Sequence, residues 1–209
     1  YPPVFRLGER RPEDDDFLRV RIGLGRARSQ VVVHIPDEDH RDKNFPDLCE
    51  QAKRIKETSQ WIDGAPILTD LKRIGCLGIA GNAFSRQSLT RSMLTQLCAH
   101  HWVSEVELAV FCNEGESQEW EWVAMLPHKS KLFRKGFVEL KENDTANPWV
   151  IKLEKEIRKR KSIVESSPKA NVAFDSRNLP AIVLVLDGIP AKYDYAAFSM
   201  LLESSREVG

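Results

Sequence analysis

Apolar and polar positions follow two different periods along this chain, and the switches between them mark its elements. Residues 17–25, FLRVRIGLG, alternate apolar with basic or glycine positions, the period of a half-buried strand. Leu18, Val20, Ile22 and Leu24 then share one side, with Arg19 and Arg21 on the other. VVVHI at 31–35 follows after the short connection RARSQ, and two extended runs so close together predict a β-hairpin. From Asp42 the period becomes helical: in DKNFPDLCEQAKRIKETSQWI, Leu48, Ala52, Ile55 and Ser59 fall on one face, and Asp63-Gly64 ends the run.

The rest of the chain alternates short apolar runs with helical patterns. APILTDL at 65–71 and IGCLGIAG at 74–81 have strand length, and a helix is predicted from about Ser85 to His101, with Leu89, Met93, Leu97 and Cys98 facing inward. VELAVFC at 106–112 reads as a strand, and ESQEWEWVAMLPH as a short helix that stops before Pro127. NPWVIKLEKEIRKRKSIVE is a long charged helix, ESSPKANVAFDSRNLP at 165–180 a polar surface loop, AIVLVLDG a strand, and YDYAAFSMLLESS a final helix. Strands beginning at 74, 106 and 181 that are apolar throughout, with helices between them, describe a mostly parallel sheet covered on both sides. The predicted fold is therefore a three-layer α/β domain over residues 37–209. Residues 1–36 form an N-terminal arm and β-hairpin addition.

Composition narrows the function classes. At 209 residues, 42% hydrophobic and 30% charged, the chain has the makings of one globular core. Thirty-one basic residues balance thirty-one acidic ones, so no global field gathers nucleic acid or anionic lipid. The chain opens YPPVFRLGERRP, with no initiator Met or signal-peptide pattern, and no window has the ~18 apolar residues of a membrane span. The expectation is a soluble piece of a longer chain. Cys49, Cys76, Cys98 and Cys112 stand far apart, as reduced structural thiols do. His100 and His101 are neighbours on a helix and diverge, so no metal site is expected. No catalytic triad or catalytic pair stands out.

The segment with chemical promise is GIAGNAFSRQSLTR, residues 78–91, at a strand-to-helix corner of the kind that holds nucleotide phosphates. A phosphate loop needs G-x-x-x-x-G-K-[ST], whose glycines let backbone N–H groups curl around the anion and whose Lys neutralises the outer phosphates. With Gly81 as the first glycine and Ser88 as the hydroxyl residue, Arg86-Gln87 stand where Gly-Lys belongs. The second glycine is gone, and the cation is displaced by one residue, a rotation of about 100° along a helix. The partner strand, IVLVLDG, ends in Asp187, suited to order Mg²⁺, but Gly188 occupies the place of a catalytic Glu. Gly81, Asn82, Arg86, Gln87, Ser88 and Asp187 thus outline a degenerate nucleotide site with no catalytic residue assigned. Asp187-Gly188 can equally be a strand-ending turn.

Three motifs carry a resemblance to a known family. ERRPEDDDFLRVRIGLG, GAPILTDLKRIGCLGIAG and EWEWVAMLPH resemble, in order and spacing, signatures of the FtsK/SpoIIIE-like ATPases of type VII secretion systems, the EccC/EssC family. The resemblance covers residues 6–128, and the strand ending in Asp187 also fits. It implies a P-loop NTPase-like domain between two transmembrane helices and a string of tandem ATPase domains, at the cytoplasmic face of the bacterial inner membrane. It implies no cofactor for this domain, with ATP and Mg²⁺ used elsewhere in the full-length protein, which would act as a homo-oligomer. The partners implied are the downstream ATPase domains, membrane subunits of the secretion complex and exported small helical proteins; nucleic acid is not expected. Gly8 stands where the family has Trp, and residues 129–180 match nothing in it.

Two further features are candidates for contact. Arg19 and Arg21 belong to a basic N-terminal region beside the acidic run Glu13–Asp16, a docking face or a solvated hairpin with local charge pairing. Trp120 and Trp122, two residues apart on a helix, diverge by about 200°, so one is expected in the core and the other at an interface. The function expected is a non-catalytic coupling or assembly domain of a protein-export motor. The alternatives are a weak ATP-binding and hydrolysing domain, with Arg86 in place of the missing Lys, or a DNA-translocase module.

Overall fold

The computed structural model describes residues 7–35, 46–141, 147–166, 179–188 and 196–209. Among these the elements run β1 (Arg19–Arg28), α1 (Pro46–Thr58), β2 (Trp61–Asp70), α2 (Leu71–Ile74), α3 (Ala83–His100), β3 (Val106–Asn113), a 3-10 helix (Ser117–Met125), β4 (Phe137–Leu140), α4 (Pro148–Ser166), β5 (Ala181–Asp187) and α5 (Ala196–Val208). The helix beginnings predicted at 42–45 and 193–195, the arm 1–6 and loop residues 167–178 lie outside the described residues.

The chain divides into two compact units, residues 21–69 and residues 1–20 with 70–209. The larger is α/β, built on a parallel sheet in the order β4-β3-β5. β3 lies in the middle, and from Val106 to Cys112 every residue is buried, the apolar ones as a doubly covered strand requires and Glu107 with its carboxylate accepting from Ser130 Oγ and the Lys131 N–H. On one face, Ala109 and Phe111 of β3 pack with Val150, Leu153 and Ile157 of α4 and Phe198 of α5. Phe111 meets Phe133 and Phe198 edge-on, with centroids 5.2 and 5.7 Å apart. Met93, Leu94 and Leu97 of α3 are the buried stripe of the other helical layer.

α4 is the long charged helix its sequence predicts, with one buried face. Its i,i+4 pairs form as spaced, Glu154 with Arg158 and Glu156 with Arg160, yet Val150, Leu153, Ile157 and Arg160 face the core. Arg160 is only 3% exposed. Its guanidinium donates to the carbonyls of Val208 at 3.2 Å, Gly209 at 2.8 Å and Pro180 at 3.0 Å, satisfying the C-terminal end of α5 and the entry to β5.

In the smaller unit the predicted hairpin is replaced. β1 pairs antiparallel with β2, the Ser29 N–H reaching the Gln60 carbonyl at 2.8 Å, while residues 31–35 are not in a strand. β2 begins at Trp61, inside the run expected to be helical, and Gly64 takes φ +69° within it. The physical reason is cross-strand pairing: Arg26 lies over the Trp61 ring at 5.1 Å and 3.7 Å from Asp63. Partners so distant in sequence leave no local periodicity to read. The alternation along β1 also fades, since Leu24 is exposed.

The N-terminal arm of the larger unit answers the question posed by Gly8. Gly8 has φ +67°, its N–H donates to the Ala99 carbonyl at 3.0 Å, and a Cβ there would lie 2.8 Å from the Trp102 indole. Trp102 thus covers the spot where a side chain at residue 8 would go, with Arg11 above its ring and bonded to Glu105 at 2.8 Å. The other departure lies at Cys76–Ala80, predicted as a core strand. These residues run outside the ladders, and β5, expected to be covered on both faces, has Ile182–Val185 half-buried and Leu186 exposed.

Candidate functional site: the corner between α3 and β5

The loop before α3 is a glycine turn leading into a capped helix. Gly81 takes φ +144°, a conformation L side chains rarely adopt, and so explains its own glycine. Asn82 caps α3: its side-chain oxygen accepts the Ser85 N–H at 2.9 Å, and its carbonyl accepts the Arg86 N–H at 3.1 Å. Arg86, Gln87 and Ser88 follow in the first two turns and are half-buried.

Opposite them, Asp187 ends β5 and is 7% exposed. Both its oxygens are engaged. Oδ2 accepts from Gln87 Nε2 at 3.1 Å and from Trp120 Nε1 at 3.0 Å, and Oδ1 lies 3.6 Å from Arg86 Nη1. A buried carboxylate requires such partners, because desolvating its charge without them is costly. Gly188 turns the chain at φ +64°, and its carbonyl accepts from Asn113 Nδ2 at 2.8 Å. A Cβ at 188 would lie 2.7 Å from that amide and the φ is positive, so the Asp-Gly pair is a turn that favours glycine. The same Asn113 amide also donates to Glu116 at 3.2 Å.

The structure therefore brings Gly81, Asn82, Arg86, Gln87 and Asp187 into one corner, and the residues standing where Gly-Lys would stand bind the carboxylate that would order Mg²⁺. Ser88 shares α3, and among the described residues its hydroxyl makes no bond to Asp187. Trp120, 1% exposed, is an Asp187 ligand buried in the core, which removes it from the interface candidates. Trp122 is half-buried, its indole donating to the Glu119 carbonyl at 3.1 Å. Arg19 is half-buried, its carbonyl accepting from Arg10, while Arg21 is exposed. The spacing of Trp120 and Trp122 in the sequence places one of the two in the core without saying which. The Trp120 indole bond to Asp187, 67 residues away, has no sequence signature.

His101 has a structural role. His101 is buried, and the Leu18 N–H donates to its Nε2 at 3.1 Å, so Nε2 is unprotonated and Nδ1 carries the hydrogen facing the Leu97 carbonyl at 2.9 Å. Leu18 takes φ +59°, and that bond helps hold its backbone there. Among the described residues no cluster of His, Cys, Asp or Glu could hold a metal ion, and no helix is long and apolar enough to cross a membrane. Among the described residues the four cysteines form no disulfide; burial pushes the Cys98 thiol up to about 11 and the Cys112 thiol up to about 12.

Relatives extend the picture beyond geometry. The ESX secretion system protein EccC of Geobacillus thermodenitrificans is 24% identical over 204 residues, 95% of this chain and 14% of that protein. YukB, an ESX secretion system protein of Bacillus subtilis, is 19% identical over 202 residues, 94% of this chain and 13% of that protein. The chain is related to the EccC-type ESX secretion proteins. EccC4 of Mycobacterium tuberculosis, from the ESX-4 system, is 30% identical over 126 residues, 59% of this chain and 10% of that protein. With the first two EccC-type relatives the likeness runs past residue 128 into the stretch where no motif was recognised. The chain spans about a seventh of the length of these two relatives. No family model matches it.

Proposed function

We propose that this chain is a non-catalytic, ATPase-like domain of an ESX-type secretion protein, and that it works by contact. In this reading it relays or regulates motion between membrane-embedded parts and ATPase domains elsewhere in a longer protein. That protein sits at the cytoplasmic face of the inner membrane, assembles as a homo-oligomer with other membrane subunits, and spends ATP and Mg²⁺ at other domains to export small helical proteins. The relatives named for ESX secretion support the setting.

One observation carries the absence of turnover: the Asp187 carboxylate is engaged by Arg86, Gln87 and Trp120 of its own chain. To order Mg²⁺ it would have to give up these partners, and the domain would still lack a Lys on the outer phosphates and a base beside Asp187. Gly81 and Asn82 serve the fold, as a tight turn and a helix cap.

A phosphate-release assay on the chain with ATP and Mg²⁺ tests this. The expected result is release at the background rate for both the unmodified chain and Asp187→Ala. Release that is lost in Asp187→Ala would establish the competing reading, a slow ATPase using Asp187 for the metal and Arg86 for the phosphates.

A further inference from the structure

Opposite its buried stripe, the outward crest of α4 is cationic. Lys152, Lys155 and Lys159 fall within about 60° of one another on a helix, and all are exposed. The carboxylates of that stretch, Glu154 and Glu156, stand on the flanks and are held by Arg158 at 2.7 Å and Arg160 at 3.0 Å; Lys159 also comes within 3.7 Å of Glu156. Lys152 Nζ donates to the Leu132 carbonyl at 2.6 Å, which sets the loop before β4 against the crest. That loop adds Lys131 and Arg134, both exposed and without a carboxylate partner among the described residues. Trp149 and Ile151 are exposed beside these cations, the Trp149 ring 5.7 Å from Lys152 Nζ.

The end of β3 and the 3-10 helix carry the opposite sign. Glu114, Glu116, Glu119 and Glu121 are all exposed, and Glu139 of β4 joins them, its carboxylate accepting the Gly115 N–H at 3.3 Å. Lys141 lies 3.4 Å from Glu114 and Arg91 pairs with Glu119, which leaves Glu116, Glu121 and Glu139 without a cation among the described residues. Residues three apart eclipse in a 3-10 helix, so Glu119, Trp122 and Met125 form one column. Met125, at its end, is 82% exposed.

We propose that these patches are the two halves of a contact between copies of the chain, the α4 crest of one copy seated on the acidic 3-10 face of another. The contact takes from the proposed function only that copies share one complex. What selects a second copy as the occupant is that each patch finds its complement on the same molecule. Each also has apolar groups beside its charges, as a specific interface needs. Thirty-one basic residues against thirty-one acidic ones leave no net repulsion to hold copies apart. The acidic half lies on the same 3-10 helix that supplies Trp120 to Asp187, so the contact bears on the corner that Asp187 closes.

Sedimentation velocity of the chain tests the contact, beside the charge-reversed variants Arg134→Glu/Lys155→Glu and Glu116→Lys/Glu121→Lys. All four side chains are exposed, so the core is retained. At about 0.1 mM chain and low salt the unmodified chain is expected to sediment as a dimer or larger, and at about 0.5 M salt as a monomer. Each variant alone is expected to be monomeric at low salt. An equal mixture of the two associates again, because the reversed crest of one meets the reversed face of the other and the unmodified patches still match. If thermal unfolding shows that a reversed variant has lost its fold, Lys155→Gln or Glu121→Gln replaces it, with the same direction expected. A monomeric unmodified chain at low salt, association that salt leaves unchanged, folded variants that still associate alone, or a mixture that stays monomeric would each overturn the contact. None of these outcomes touches the reading of Asp187, which phosphate release tests separately.

Discussion

At the residue scale, Asp187 separates a structural carboxylate from a metal-ordering one. A carboxylate kept for Mg²⁺ stands poorly compensated in the apo protein, so removing it leaves stability unchanged or raised. Asp187 instead accepts from Gln87 and Trp120 and faces Arg86. Asp187→Ala leaves the buried indole N–H and the Gln87 amide without an acceptor, which is expected to cost about 2–3 kcal/mol. Urea unfolding at unchanged m-value measures it, and a midpoint equal to that of the unmodified chain would remove Asp187 from the structural core. The residues of this corner were legible in the sequence as positions, because a phosphate loop and its partner strand have fixed spacing. Their bonding was not, because Trp120 and Asp187 meet only once β3, β5 and the 3-10 helix are assembled. Arg160 teaches the same lesson: its i,i+4 pairing with Glu156 is local and readable, while its three carbonyl partners lie 20 to 49 residues away.

At the element scale, the N-terminal arm is latched to α3 through a neutral histidine. Burial lowers the pKa of His101 from its ordinary 6.5, the Arg10 and His100 charges lower it further, and the Leu97 hydrogen bond and Glu105 oppose the shift. Above 6.5 the ring is neutral in the folded and unfolded states alike, and the latch contributes fully. As pH falls below 6.5 the unfolded chain takes up a proton that the folded chain resists, so stability is lost progressively toward the lowered folded value. Protonated Nε2 also cannot accept the Leu18 N–H. Thermal unfolding is therefore expected at lower temperature at pH 5 than at pH 7, with the difference reduced in His101→Gln. An equal difference in that variant would place the acid sensitivity elsewhere. Helices α3 and α4 and the strand β3 were readable from periodicity, because each buries a stripe or a run whose spacing is its own. β1 and the later part of β2 were readable as extended runs but their pairing was not, and residues 76–81, which read as a strand, run outside the ladders. Whether an extended apolar run pairs, and with what, depends on partners tens of residues away, so VVVHI was credited with the pairing that belongs to residues 61–70.

At the scale of the whole molecule, the larger unit is a parallel-sheet fold in which the corner between α3 and β5 is closed by the protein's own side chains, Arg86, Gln87 and Trp120 on Asp187. Fold class by itself carries no activity, so the corner must decide. The likeness to EccC-type proteins spans nearly all of this chain and a small part of each relative. The measurement that bears most directly on the account is calorimetric titration of the chain with ATP and Mg²⁺, alongside Asp187→Ala. The account predicts no saturable binding, with any Kd weaker than ~1 mM, about −4 kcal/mol, in both. Micromolar binding that disappears in the folded Asp187→Ala variant would contradict it, because Arg86, Gln87 and Trp120 would then have yielded the carboxylate to a metal.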